Sequence, residues 1–242
     1  MTGTDLYGGL ATSSDARHAL ELAARIVVLQ PLGVEALPEE VRAKAVAIVQ
    51  SARAPRSPAP VEDLFEVCVI GHLRAVKNPW LAADAARLLP PSSRIRILQM
   101  GAALDPELAS RARAEMATNQ RYRWLGELPR IEALTTLGRC RLLLVTSFLE
   151  GGANVVSEAL AAEVPILSTR IAGSIGLLGS DYPGYFPVGD ASALALLLDR
   201  SERDPSFHSH LRAWCSRLVP LVAPLRERQS WHDLISQLTA ST

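Results

Sequence analysis

The chain has 242 residues, 48% of them hydrophobic, and its 25 basic and 25 acidic side chains cancel to a formal net charge of zero. This length allows one or two domains with a packed core, and a neutral chain without a basic run excludes nucleic acid as the main partner. Cys68, Cys140 and Cys215 lie too far apart for a metal or redox motif, so they read as buried thiols in a reducing, cytoplasmic setting. His208 and His210 form a lone H-x-H pair, which reads as surface decoration. No apolar run reaches the ~18–20 residues of a membrane span. The N-terminus lacks the basic start and apolar stretch of an export signal.

In chain order, residues 1–7 read as the end of a strand and a turn with no strand before them. An amphipathic helix over 15–25 follows, with Ser13, Ser14 or Asp15 as its cap. Residues 26–29 are a short buried strand closed by Gln30 and Pro31. A helix over 33–44, broken near Pro38, leads to a strand over 45–49. This alternation belongs to a parallel sheet. Segment 1–53 is nevertheless short beside the ~100–200 residues of a free-standing domain, so the first domain is expected to be incomplete. A proline-rich connector at 54–63 cannot continue helix or strand and marks the boundary.

A second α/β series is expected over 64–222. Its strands fall at 65–70, 94–100, 122–125, 142–145 and 164–168. Helices are expected at 78–89, 106–116, 131–138, from 154 onward, 191–200 and 205–219. Residues 173–189 read as a long Gly/Pro loop, and a closing helix lies within 223–242. Such a series predicts a doubly wound sheet whose ligands sit at the strands' C-terminal ends.

Two motifs fall at such ends. In 141–162 an apolar strand runs into Glu150, Gly151, Gly152 and Ala153, then into a helix that Asn154 is expected to cap. The glycines allow close approach of a ligand, and the first helical amides make an anion site. Glu150 and Glu158 flank this turn with seven residues between them. Read alone, a glutamate near a helix start gains roughly 0.3–1 kcal/mol from the macrodipole whatever its role. In 71–79 a strand runs into Gly71, His72, Arg74 and Lys77, with Pro79 near the next helix. Lys77 offers a point charge and Arg74 a bidentate fork, which suits a pyrophosphate. Taken alone, these are also ordinary solvated loop cations. G-x-G-x-x-G is absent, which argues against a dinucleotide-dependent oxidoreductase.

Together the motifs resemble the nucleotide-binding domain of retaining GT-B glycosyltransferases of the group 1 (GT4-like) kind. The resemblance implies an α/β GT-B fold: a complete C-terminal Rossmann-like domain and a partial, N-terminally truncated, acceptor-side one. It places Glu150 at the donor sugar, Glu158 at the ribose diol, and Lys77 at the diphosphate. The family's arginine stands where this chain has His72, so Arg74 is the substitute. Glu163 occupies a position where the family has glycine. Gly71, His72, Gly126, Leu128 and 151–154 are implied donor neighbours, and Gly3, Thr4 and Asp5 would border the acceptor side. Asp5 also reads as a simple helix cap.

A closer resemblance, carried by 2–7, 71–77, 150–154 and the aromatic, proline-rich stretch 176–190, is to the selenosugar synthases of selenoneine biosynthesis. From the residues alone, 181–190 is equally a loop covering a sheet edge. This resemblance implies sugar transfer from a UDP-sugar, such as UDP-GlcNAc, to selenophosphate, with no metal and no cofactor. A UDP-sugar-binding fragment without turnover is the alternative, as is a group 1 transferase with another acceptor.

Overall fold

The computed structural model describes residues 1–10 and 12–240, with the Thr4 side chain left out. The chain opens with a π-helical turn over Thr4–Gly9, where a strand end was expected. Asp5 is the local cause: its carboxylate accepts from Thr2 N at 2.9 Å and Thr2 Oγ1 at 2.8 Å, and Leu10 N then bonds back to Asp5 O. Helix α1 (Ser14–Leu22) starts where the Ser13 hydroxyl accepts from Ala16 N. Strand β1 (Ile26–Val28), short helices α2 (Leu32–Glu35) and α3 (Glu39–Arg42), and strand β2 (Ala45–Ala47) follow. Pro38 separates α2 from α3. Strands β1 and β2 form a two-stranded parallel sheet around Leu6, Leu20, Val28 and Leu37.

The larger unit begins with β3 (Phe65–Ile70), a 3-10 turn over Ala75–Lys77, α4 (Leu81–Arg87) and β4 (Ile95–Met100). Helix α4 starts later than expected because Asn78 is left-handed, at φ 44°. Then come α5 (Pro106–Thr118), β5 (Tyr122–Trp124), α6 (Arg130–Arg139) and β6 (Leu142–Val145). After α7 (Asn154–Ala161) and β7 (Ile166–Thr169) comes a helix, α8 (Ala172–Leu178), all but its first residue in the stretch expected to be loop. Its glycines make it a poor helix former by propensity, yet a Cβ at Gly173 would strike Glu150 O and one at Gly176 would strike Gln30. Packing against those neighbours decides its conformation. The chain ends with β8 (Tyr185–Phe186), α9 (Ala191–Arg203), α10 (Pro205–Leu218), a 3-10 turn over Val219–Val222 and α11 (Pro224–Ala240). Asp190 and Asp204 cap α9 and α10.

The six strands run parallel in the order β5-β4-β3-β6-β7-β8. From β3 the chain moves outward through β4 and β5, then returns to place β6 on the other side of β3, with Val67 opposite Leu142. Strand order therefore reverses between β3 and β6, and a crevice opens beyond their C-terminal ends. The strands are buried on both faces, with Val67, Ile97, Leu142, Leu143 and Ile166 at 0% exposure, as sheets covered by helices require. No helix among the described residues is long and apolar enough to cross a membrane.

Candidate functional site

Both sequence motifs open into the crevice at the reversal point. After β3, Gly71 turns the chain and Leu73 is anchored beside Ala103. His72 Nδ1 accepts from Ala102 N at 3.0 Å, which fixes the ring as the tautomer with its proton on Nε2. After β6, the two loops are stitched together. Thr146 Oγ1 donates to Lys77 O at 2.8 Å, and Phe148 N to Val76 O at 2.9 Å. Lys77 Nζ forms an ion pair with Glu150 Oε1, which also accepts from Ser147 Oγ at 2.6 Å. The lysine and the acid thus neutralise one another across the β3–β6 seam.

Helix α7 begins with Asn154 as its first helical residue, and the extended Ala153 holds the cap position without a side-chain bond. Asn154 is therefore not the cap. The cap residue supplies no side-chain acceptor to the first turn of α7, whose Ala153, Asn154 and Val155 line the crevice. Glu158 lies on the second turn, not the first, and is 7% exposed. Its Oε1 is 2.8 Å from Arg130 Nη2 at the start of α6. Burial pushes the Glu158 carboxyl above its ordinary value, and the Arg130 guanidinium draws it part of the way back.

The crevice has two lobes. The larger, ≈ 620 Å³, is lined by Gly3, His72, Arg74, Lys77, Glu150, Gly151, Gly152, Ala153, Asn154 and Glu158 among others. The smaller, ≈ 410 Å³, lies over Met100, Gly101, Glu127, Leu128 and Leu134. Ile70, Gly71, His72, Arg130 and Glu158 belong to both. Gly126 does not line either lobe; it turns at φ 72° and its carbonyl accepts from Gly101 N. Asp5 is exposed, lines neither lobe, and is held below its ordinary value by its bonds from Thr2. Thr4 opens the π-helical turn, and its side chain lies outside the described part of the structure. Arg74 is exposed on the larger lobe. No group of three or more His, Cys, Asp or Glu side chains that could hold a metal ion occurs among the described residues.

The profile of the family described as glycosyl transferases group 1 matches residues 50–213. The chain belongs to the group 1 glycosyltransferases. D-inositol 3-phosphate glycosyltransferases of Corynebacterium glutamicum and Corynebacterium efficiens are 25% and 27% identical to this group 1 chain over 173 residues, 64% of its length. It spans 41% of the length of these curated relatives. A crystal structure of HepE from Anabaena in complex with UDP and glucose superposes with TM-score 0.77 at 18% identity, over 97% of this chain and 70% of HepE. Sucrose-phosphate synthase from Thermosynechococcus elongatus gives 0.78 at 20% identity, over 99% and 65%. These likenesses make the fold GT-B.

Arg130 ends the 125–130 loop that the resemblance sets beside the uracil and ribose, but neither its pairing with Glu158 nor the bond from Ser147 to Glu150 was expected from the motifs. Ser147 carries no sequence signal beyond its place at a strand end. Arg130 does carry one: it is a cation in the first turn of a helix, against the macrodipole, and such a misfit implies an acidic partner.

Proposed function

We propose that this chain carries the donor site of a metal-independent, retaining glycosyltransferase that takes its sugar from a UDP-sugar, UDP-GlcNAc in the finer reading, and delivers it to selenophosphate. The observation that carries the proposal is the convergence of Lys77, Glu150 and Glu158 on one crevice at the strand-order reversal. The UDP and glucose in the HepE complex support it by likeness of fold. In this reading the uracil occupies the smaller lobe over Leu128 and the ribose diol meets Glu158. The diphosphate meets Lys77, Arg74 and the opening amides of α7, and the sugar hydroxyls meet Glu150. Arrival of the diphosphate gives Lys77 a second anionic partner and frees Glu150 oxygens for the sugar. As the C1–O bond to UDP breaks, its electron pair leaves on the β-phosphate, where fixed cations and amides stabilise it. The selenium of selenophosphate then bonds to C1 from the same face, and hydrolysis of the P–Se bond by water releases inorganic phosphate and leaves the 1-selenosugar.

Calorimetric titration with UDP and UDP-GlcNAc, followed by a selenophosphate turnover assay with mass detection, tests this. Binding and a selenosugar product are expected. Binding without product overturns the acceptor, and absence of binding overturns the donor site. Lys77→Ala is expected to weaken UDP by about 1.5–3 kcal/mol, the range for bonds to charged groups, and to leave uridine almost unchanged. Equal losses for both ligands would reject the phosphate role.

A further inference from the structure

An ion pair stands where the two lobes meet, beside the turn over residues 70–72 at the end of β3. Arg130 reaches from the start of α6 and Glu158 from the second turn of α7, and both line both lobes. The acid is buried while the arginine side chain is 71% exposed, so the two ends of the bridge are held very differently. Glu158 is fixed by its helix, whereas Arg130 has solvent into which it can move. Pro129, extended with ψ 141°, sets the direction in which α6 leaves the preceding loop and places Arg130 at its first position. Lys77, which also lines the larger lobe, is already engaged by Glu150, and Arg130 is the cation bonded to Glu158.

We propose that Arg130 is a positioning residue for Glu158: it holds the buried carboxylate oriented towards the lobe junction, and yields that carboxylate to the hydroxyl pair of a nucleotide that straddles the two lobes. A ligand confined to one lobe would leave the pair intact. One long enough to fill both passes directly beside it. The choice of ligand rests on the reading of the crevice as a UDP-sugar site; the coupling of Arg130 to Glu158 does not. The other ionisable side chains lining the lobes are His72, Arg74 and Lys77 from the turn after β3, Glu150 from the loop after β6, and Glu127 from the loop before α6. Of the elements packed against α7, the Val219–Val222 turn adds none, while α6 also carries Glu132 and Arg139 and α10 carries His208, His210, Arg212 and Arg217, none of which lines either lobe.

The test compares the parent with Arg130→Met and Arg130→Lys. The first arm follows the Glu158 carboxyl by carbon NMR against pH in the ligand-free protein, assigned with Glu158→Gln. The second measures UDP affinity at about pH 6 and about pH 8.5. In Arg130→Met the Glu158 titration is expected to move to higher pH. UDP binding at the lower pH should then fall roughly tenfold, the equivalent of one pKa unit, and largely recover at the higher pH. Arg130→Lys should restore both. An unmoved Glu158 titration in Arg130→Met overturns the proposal, and so does a loss of UDP affinity that is the same at both pH values. If the parent binds no UDP, the donor-site reading fails, and the ligand-free titration still decides the role of Arg130.

Discussion

Gly3 and Gly151 meet backbone to backbone: a Cβ built on either one would collide with the amide nitrogen of the other. This contact brings the start of the chain against the loop after β6, so the small sheet unit and the large one close on the same wall of the crevice. Gly151→Ala must push one backbone away from the other, and overpacking of this kind costs about 1–3 kcal/mol. The expected outcome is a lower urea midpoint together with weaker UDP binding. Unchanged values for both would show that the two loops part without consequence.

The strands from β3 to β7 were readable because each is short, largely apolar and set between turn residues, and β6 spans the expected 142–145. What sequence patterns misplaced were elements whose conformation is decided by distant neighbours. Residues 172–178 carry two glycines and look like loop until Gln30 and Glu150 are seen against them. The first residues look like the end of a strand until the Asp5 carboxylate takes both Thr2 donors. At the candidate site the spacing of Glu150 and Glu158 was visible, but the ion pairs that each makes were not. Lys77 and Arg130 are 73 and 28 residues away from their partners, and no local pattern reports such a separation.

Glu163 occupies a glycine's conformation. It follows α7 at φ 53°, where Glu163 N bonds to Leu160 O and Val164 N to Ala159 O in the manner of a helix C-terminus that turns left-handed. A side chain costs roughly 1–2 kcal/mol in that region, and its 3.3 Å bond from Ser216 Oγ is exposed. Glu163→Gly is therefore expected to stabilise the protein by about 0.5–1 kcal/mol, after allowing for the greater freedom of glycine in the unfolded chain. UDP affinity should not move. A loss of stability in chemical unfolding would show that the Ser216 contact outweighs the backbone strain.

Tyr182 explains why the aromatic stretch near 181–190 is built as it is. Strand β8 pairs with β7 only from Ser168 onward, which leaves the outward backbone groups of Ile166 without a strand. The Tyr182 hydroxyl serves both, accepting from Ile166 N at 3.1 Å and donating to Ile166 O. Its ring packs edge-on against Tyr185, 5.4 Å away. The stretch is a cover for the sheet edge. Tyr182→Phe orphans two buried backbone groups and should cost about 1–3 kcal/mol, read as a lower thermal midpoint, with UDP affinity retained in the folded fraction. A large loss of affinity at full folding would assign the stretch to the ligand instead.

The stability cost of burying Glu158 and its proposed role at the ligand can be separated by pH. Its folded carboxyl titrates above the ordinary carboxylate range because burial penalises the charge more than Arg130 relieves it. A raised acid binds its proton more tightly when folded than when unfolded, so it withdraws stability as pH rises from the unfolded value through the folded one. Parent and Glu158→Gln should therefore be closest in urea midpoint near pH 4, with the variant pulling ahead by pH 7. The same variant should weaken UDP by about 1.5–3 kcal/mol through the lost charged bond. If the parent instead gains on the variant between those pH values, the Arg130 pair more than offsets the burial of the carboxylate, and Glu158 is a structural support rather than an acid held at a cost for a ligand.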